Sequence, residues 1–468
     1  MNRFRLPGII LVALGFPAMA QAEEWLSPPK PVPPAMALPP GPFAPEWKSL
    51  EKYRVPDWFR DAKFGIFVHW GPQTLAGPRG SADGTKSPWK ELARDFKGEK
   101  FDADHWAAMF KLSGAKYVVQ VAEHHDGYAL YDSSYTRWSS VRMQPQRDFV
   151  AEFAAAARKQ GLVFGASSHT EEHYWFYSEP PKKTPPAPLP GRPIGEQPSE
   201  EFLDWWYARL VETVDKYQPQ IFWFDWCIEQ PAYEPYLRKF AAYYYNRAAE
   251  RKQGVVLNYK YSAYPDRAAV RDISWNTGRI SWRPEVICPT VWQFDTMSNR
   301  KYWFWRPDME MRPLAEVLAE MADVVSKNGN YLLNIPPTPD GSLTPEQETL
   351  LRGIGQWMSV NGEAIYGTRP WKIFGEGPTE GLGPKFQGNP PKTPYTAQDI
   401  RFTTKGEKLY AIVLAWPETR KVTIPSLAGR EIKSVRLLGS SEPVAREGVT
   451  FDLPSKEQRD GPFVLKIQ

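Results

Sequence analysis

Between about residues 60 and 365, short apolar runs alternate with longer stretches in which apolar positions recur at helical spacing. The runs are KFGIFVHW, KYVVQVA, LVFGASSH, QIFWFDW, GVVLNYK, a weaker pair within 270–295, and NYLLNI. They are almost continuously apolar, the pattern of strands buried on both faces of a parallel sheet. Between them lie DADHWAAMFKLSG, DFVAEFAAAARKQG, SEEFLDWWYARLVETVDKY, EPYLRKFAAYYYNRAAERKQG and RPLAEVLAEMADVVSKNG. Several of these begin at Asp, Ser or Pro and end at Gly, the punctuation of helices. About eight strand–helix units in roughly 300 residues predict a (β/α)8-like TIM barrel within α/β architecture.

After about residue 366 the helical spacing stops. LYAIVLAW, RKVTIPSL, IKSVRLLG, GVTFDLP and PFVLKIQ are short strands separated by turn residues. They predict a small C-terminal antiparallel β-sandwich. The expected division is therefore a barrel over 47–365 and a sandwich over 366–468. Pro-rich residues 26–46 make 23–46 an extended lead-in rather than a domain, and a second Pro-rich stretch, 178–201, reads as a long surface loop.

The first residues change the expected location. MNRFRLPGIILVALGFPAMAQAEE has a basic start, an apolar run and a small-x-small site ending at Ala22. That predicts a signal peptide over 1–22 and an exported protein, periplasmic or extracellular. The apolar run is shorter than the roughly 18 residues a span requires, and no other segment reaches that length. Losing Arg3 and Arg5 with the leader takes the formal charge from +4 to +2. A balance so near neutral argues against nucleic acid and anionic membranes as partners. Cys227 and Cys288 either pair in an oxidising compartment or stay as buried thiols; spacing alone leaves both open.

In a barrel of this kind the chemistry lies at the C-terminal ends of the strands. Those ends deliver His69 and Trp70; Glu123, His124, His125 and Asp126; His169, Glu171, Glu172 and His173; Trp223, Asp225 and Glu229; Asn258 and Lys260. Five of the six histidines fall at three strand ends, and His105 falls in a predicted helix. A lone histidine is ordinarily a satisfied core or surface residue, but this convergence points to a pocket. A metal site is one reading of His with Asp and Glu. The chain lacks a ligand pair such as H-E-x-x-H, and adjacent histidines rarely reach one ion, so neither metal nor cofactor is expected. A carboxylate between Trp223 and Trp226 suits a sugar better. Indole faces cover the C–H surface, while His and Lys serve the hydroxyls. A glycosidase needs two carboxyl groups, one to attack and one to protonate the leaving oxygen.

Five motifs, in order from about 57 to 371, carry a family resemblance: WFRDAKFGIFVHWG, GAKYVVQVAEHHDGYALYDSSYTRW, IFWFD, SKNGNYLLNIPPTPDG and GQWMSVNGEAIYGTRPW. They resemble the α-L-fucosidases of glycoside hydrolase family 29. The resemblance implies a barrel followed by a β-sandwich, and a retaining two-step hydrolysis of terminal α-L-fucosyl residues from glycans. It implies Asp225 as nucleophile, with His69, His124, His125, Trp223 and Lys260 around the sugar; Trp70 and His169, the latter where many members carry Ser, join the substrate-binding candidates from their place at the strand ends. The sequence also departs from the family. Ser274 stands where related chains often carry the acid Glu, Gln293 follows Trp292 where a second acidic position is frequent, and Pro88 precedes Trp89 in place of a Glu. Four carboxyls remain for the acid/base: Glu285, Asp272, Asp295 and Glu229. Glu285, in SWRPEVICP, lies in the loop region where the family carries its acid and is the candidate. The altered positions also admit an α-L-galactosidase or other α-L-glycosidase, or a carbohydrate-binding homologue without turnover. The expected partner in each case is a fucosylated or related glycan.

Overall fold

The computed structural model describes residues 37–79, 89–176, 197–273, 286–379, 394–455 and 460–468. The leader, most of the second Pro-rich stretch, Pro88, Ser274 and the acid/base candidate Glu285 lie outside the described residues. Each predicted run forms a strand: β1 Phe64–Val68, β2 Tyr117–Glu123, β3 Val163–Ser168, β4 Ile221–Phe224, β5 Val256–Tyr259, β6 Val270–Arg271, β7 Trp292–Met297 and β8 Gly329–Asn334. They pair in parallel in the order β6-β5-β4-β3-β2-β1-β8-β7. One isolated bridge, Asp272 to Gln293, together with the Ile273 N–H to Gln293 carbonyl bond at 2.8 Å, joins the two edges. The result is a nearly closed (β/α)8-like barrel.

The strands are buried on both faces, and residue parity decides which face each side chain meets. Phe67, Tyr117, Val119, Ile221, Trp223 and Leu332 fill the interior. The opposite set, such as Ile66, Val68 and Val118, packs on the helices. The lower mouth is closed by the short helix Asp57–Ala62, whose Phe59 ring lies 5.6 Å from Tyr117 and whose carbonyl accepts from Asn330 Nδ2 at 2.7 Å. The five predicted helices form at Ala103–Leu112, Phe149–Lys159, Glu200–Tyr217, Glu234–Glu250 and Leu314–Ser326.

The C-terminal strands are β9 Arg369–Glu376, β10 Ile400–Lys405, β11 Lys408–Val413, β12 Lys421–Thr423, β13 Val435–Leu437, β14 Ala445–Glu447, β15 Thr450–Asp452 and β16 Phe463–Ile467. They form antiparallel sheets β13-β16-β11-β10-β9 and β12-β15-β14 around a shared core that includes Phe402, Phe451 and Leu465.

Several features went unread in the sequence. The helix Pro345–Asn361 and strands β9, β10 and β14 form in addition to those predicted. The end of the lead-in is not a free linker: Asn246 bonds the Phe43 N–H at 3.0 Å and the Pro39 and Phe43 carbonyls at 3.1 and 2.9 Å. That straps residues 39–43 across the helix Glu234–Glu250. Cys227 and Cys288 are both free thiols.

Candidate active site

Parity along each strand continues past its end and selects what enters the barrel mouth. On β1 the inward series Gly65, Phe67 leads to His69; on β3 Gly165, Ser167 leads to His169; on β4 Ile221, Trp223 leads to Asp225; on β5 Val256, Asn258 leads to Lys260. β2 breaks the rule. Its inward series Tyr117, Val119, Val121 would bring Glu123 inward, but a register shift between Val121 and Glu123 inserts one extra residue. Glu123 therefore turns outward, onto Arg209 at 2.5 Å, Tyr131 at 2.9 Å, Ser168 at 2.8 Å and Thr170 at 3.1 Å. His124 turns inward, its ring 4.8 Å from that of His169 and 5.9 Å from that of His69.

Asp225 lies at the centre. One carboxylate oxygen is 3.0 Å from Lys260 Nζ, and the other accepts from His169 Nδ1 at 3.1 Å. Burial pushes this carboxyl up, but the Lys260 ammonium and the His169 hydrogen bond outweigh burial and hold it well below the usual range. Burial opposes the charge on Lys260, and Asp225, Asp295 and Asp272 overcome it, so its pKa is raised. Lys260 Nζ is also 3.5 Å from Asp295 and 4.8 Å from the centre of the Trp223 ring. The end of β4 thus holds an ionised carboxylate with both oxygens oriented.

Three histidines around it favour the neutral form. Burial lowers the pKa of His69, His124 and His169, and neighbouring imidazoles lower that of His69 and His124 further. Asn334, at the end of β8, accepts from His69 Nδ1 at 2.9 Å and from its backbone N–H at 3.2 Å. The Asn334 amide is itself fixed by donating to the Trp303 carbonyl at 2.7 Å. His69 therefore carries its proton on Nδ1 and presents Nε2 as an acceptor. His125 Nδ1 lies 2.9 Å from the His169 carbonyl oxygen and also contacts Glu172.

The structure brings together His69, His124, His125, His169, Trp223, Asp225 and Lys260. It places Trp70 elsewhere. One position beyond an inward His, Trp70 turns outward and stacks 5.3 Å from Phe101, with Trp106 at 5.2 Å and Phe149 at 4.8 Å. Its Nε1 donates to the Thr338 carbonyl at 2.8 Å. The expectation that Trp70 contacts the sugar is corrected: it is a core residue behind the site.

Two of the remaining acid candidates are spent in the barrel interior. Asp272 accepts from Trp223 Nε1 and Gln293 Nε2, both at 2.9 Å, and from the Asp295 N–H at 3.3 Å. Asp295 is buried beside it, and burial and the Asp272 charge raise its pKa well above the carboxylate range. Glu229 differs. It follows the turn after β4, where Cys227 is held at φ +83°, a strained value for a side chain of that kind. Its Oε2 is buried with no hydrogen bond among the described residues. Burial first, and Asp225 nearby, push it up to about 7.

Trp303 and Phe304, absent from the sequence reading, complete the wall. Trp303 lies 4.9 Å from the His69 ring, and Phe304 lies 4.8 Å from His124. Their signal was the aromatic run YWFW at 302–305, in the loop that follows β7.

Residues 34–363 match the family described as alpha-L-fucosidase, and residues 393–468 match the alpha-L-fucosidase C-terminal domain. The mouse tissue alpha-L-fucosidase is 29% identical, over 93% of this chain and 94% of the mouse protein. The human tissue alpha-L-fucosidase is 28% identical, over 86% of this chain and 85% of the human one. Among solved structures, Thermotoga maritima alpha-fucosidase bound to a mechanism-based inhibitor superposes with a TM-score of 0.73 at 26% identity. That match covers 91% of this chain and 99% of the Thermotoga chain.

Proposed function

The chain belongs to the alpha-L-fucosidase family of glycoside hydrolases, and from that premise we propose that it is a retaining exo-enzyme with Asp225 as nucleophile. One observation carries the assignment: the Asp225 carboxylate is held ionised, with one oxygen on Lys260 and the other on His169, at the end of β4. In the first step Asp225 attacks the anomeric carbon and displaces the glycan oxygen, forming a glycosyl-enzyme. In the second, water attacks the same carbon and releases the sugar. The His69 Nε2 acceptor, His124, His125 and His169 serve the hydroxyls, while Trp223 lines the apolar side. Trp303 and Phe304 add an apolar wall beside His69 and His124.

Glu285 is the proposed acid/base, with Glu229 as the second reading. Glu229 is favoured by its place beside Asp225 and by a pKa of about 7, where a general acid is effective at neutral pH. We propose export through residues 1–22, and a barrel ending and sandwich beginning near residue 366. Among the described residues no helix is long and apolar enough to cross a membrane.

The test is turnover of an activated aryl α-L-fucoside beside the matching α-L-galactoside. An activated leaving group needs little acid, so the assay reads the nucleophile. Turnover should vanish in Asp225→Ala. A preference for the galactoside would overturn the fucose assignment, and sugar affinity without turnover would point to a binding protein. Among acid/base variants, the correct Glu→Ala should fail on natural glycosides but keep turnover of activated substrates, and azide should accelerate that turnover by attacking the glycosyl-enzyme in place of the water that has lost its base.

A further inference from the structure

Three histidines of the barrel mouth stand close enough together to share one small ligand. His69, His124 and His169 come from three different strands, and one ring nitrogen from each lies within 4.8 Å of the other two. All three are buried. The Asn334 bond keeps the proton of His69 on Nδ1 and leaves its Nε2 open. In His169 the Nδ1 proton goes to Asp225, and Nε2 takes the Ser167 hydroxyl at 3.1 Å. His124 is 8% exposed, and its Nδ1 has no hydrogen-bond partner among the described residues. An orphaned buried nitrogen is costly, and a ligand that accepts its lone pair removes the cost.

We propose that His69, His124 and His169 form an inhibitory site for a divalent transition ion such as Zn2+, which competes with sugar for the same mouth. Imidazole nitrogens suit Zn2+ and Cu2+, with bonds of about 2.0–2.1 Å, whereas Mg2+ and Ca2+ prefer oxygen. His169 would bind through Nε2 by exchanging the Ser167 hydroxyl for the ion, while its Nδ1 stays on Asp225. Asn334 behind His69 and Asp225 behind His169 are the outer partners that orient metal-bound imidazoles. The second cluster of suitable atoms, His125, Glu172 and Asp225, is the weaker host, because Asp225 is already paired with Lys260. The Lys260 ammonium also repels a cation in the mouth, which limits affinity without abolishing it. The competition with sugar rests on the functional reading above; the ion site itself does not.

The experiment titrates the purified protein with Zn2+ by calorimetry and with Co2+ by its visible absorption, with and without L-fucose. One ion per chain is expected, displaced by L-fucose, together with competitive Zn2+ inhibition of aryl fucoside turnover that EDTA reverses. Binding should weaken by roughly tenfold or more in His124→Ala and in His169→Phe, with circular dichroism reporting an intact fold. Unchanged binding in both variants would move the ion elsewhere and overturn the site. A protein that turns over the fucoside yet takes up no ion loses the metal site and keeps the glycosidase. One that takes up the ion at these residues and turns over nothing keeps the site and loses the glycosidase.

Discussion

Lys260 faces two carboxylates, Asp225 at 3.0 Å and Asp295 at 3.5 Å, but burial with Asp272 raises the pKa of Asp295. Its charge is therefore directed mainly at Asp225. Removing it in Lys260→Met leaves Asp225 buried with only the neighbouring histidines to favour its charge, so the Asp225 pKa rises. The acid limb of the kcat/KM profile on an activated fucoside should move to higher pH, with activity lost first at low pH. An unmoved limb would mean that Lys260 does not hold the proposed nucleophile, Asp225, ionised. A different lysine is a liability. Lys63 is fully buried at φ +62°, and its Nζ has no hydrogen bond among the described residues. Burial, with Arg369 adding to it, lowers its pKa from 10.5 to about 7. A depressed pKa of this kind favours folding above the unfolded value, and that contribution fades as pH falls through about 7. Lys63→Met should stabilise the fold by about 1–3 kcal/mol near pH 6 and by less near pH 9, read from thermal melts.

At the level of strands and helices, parity made most of the site legible. His69, His169, Asp225 and Lys260 each continue an inward series that is visible in the letters of their strand. The bulge in β2 was not legible, because an extra residue leaves no mark on an apolar run; only contacts show that His124 rather than Glu123 points inward. Trp70 was misplaced for the converse reason: proximity in sequence to His69 hides opposite orientation. The helix Pro345–Asn361 carries a clear start, a Thr344–Gln347 capping box with Pro345 behind the cap. Gly353 and Gly355 weaken its helical pattern. Gly355 is there for contact: a Cβ on it would lie 2.1 Å from the Leu112 carbonyl oxygen of the neighbouring helix. Gly355→Ala should therefore destabilise by about 1–3 kcal/mol despite its better helix propensity, measured by urea denaturation. A gain in stability would show that the two helices are free to separate.

Across the whole molecule, barrel and sandwich are joined through a buried ion triad. Asp323, on the helix Leu314–Ser326, accepts from Arg401 of β10 at 2.6 Å and from Lys327 at 2.8 Å. Asp323→Ala strands two buried cations and should cost about 3–5 kcal/mol. Arg401→Met leaves the Asp323–Lys327 pair intact and should cost less. Melting temperatures should rank them so, with activity per folded molecule unchanged; the reverse order would deny Asp323 its central place. The barrel itself is not uniformly joined. Seven neighbouring strand pairs share ladders, while β6 and β7 meet at a single bridge. The chain between those two strands, from 272 to 291, includes Ser274 and Glu285, the altered and the candidate acid positions. A connection across an unladdered joint can lengthen, shorten or be exchanged without shifting the register of any other stave. A loop exchanged at this joint is therefore the place to vary the proposed proton donor while Asp225 stays where it is.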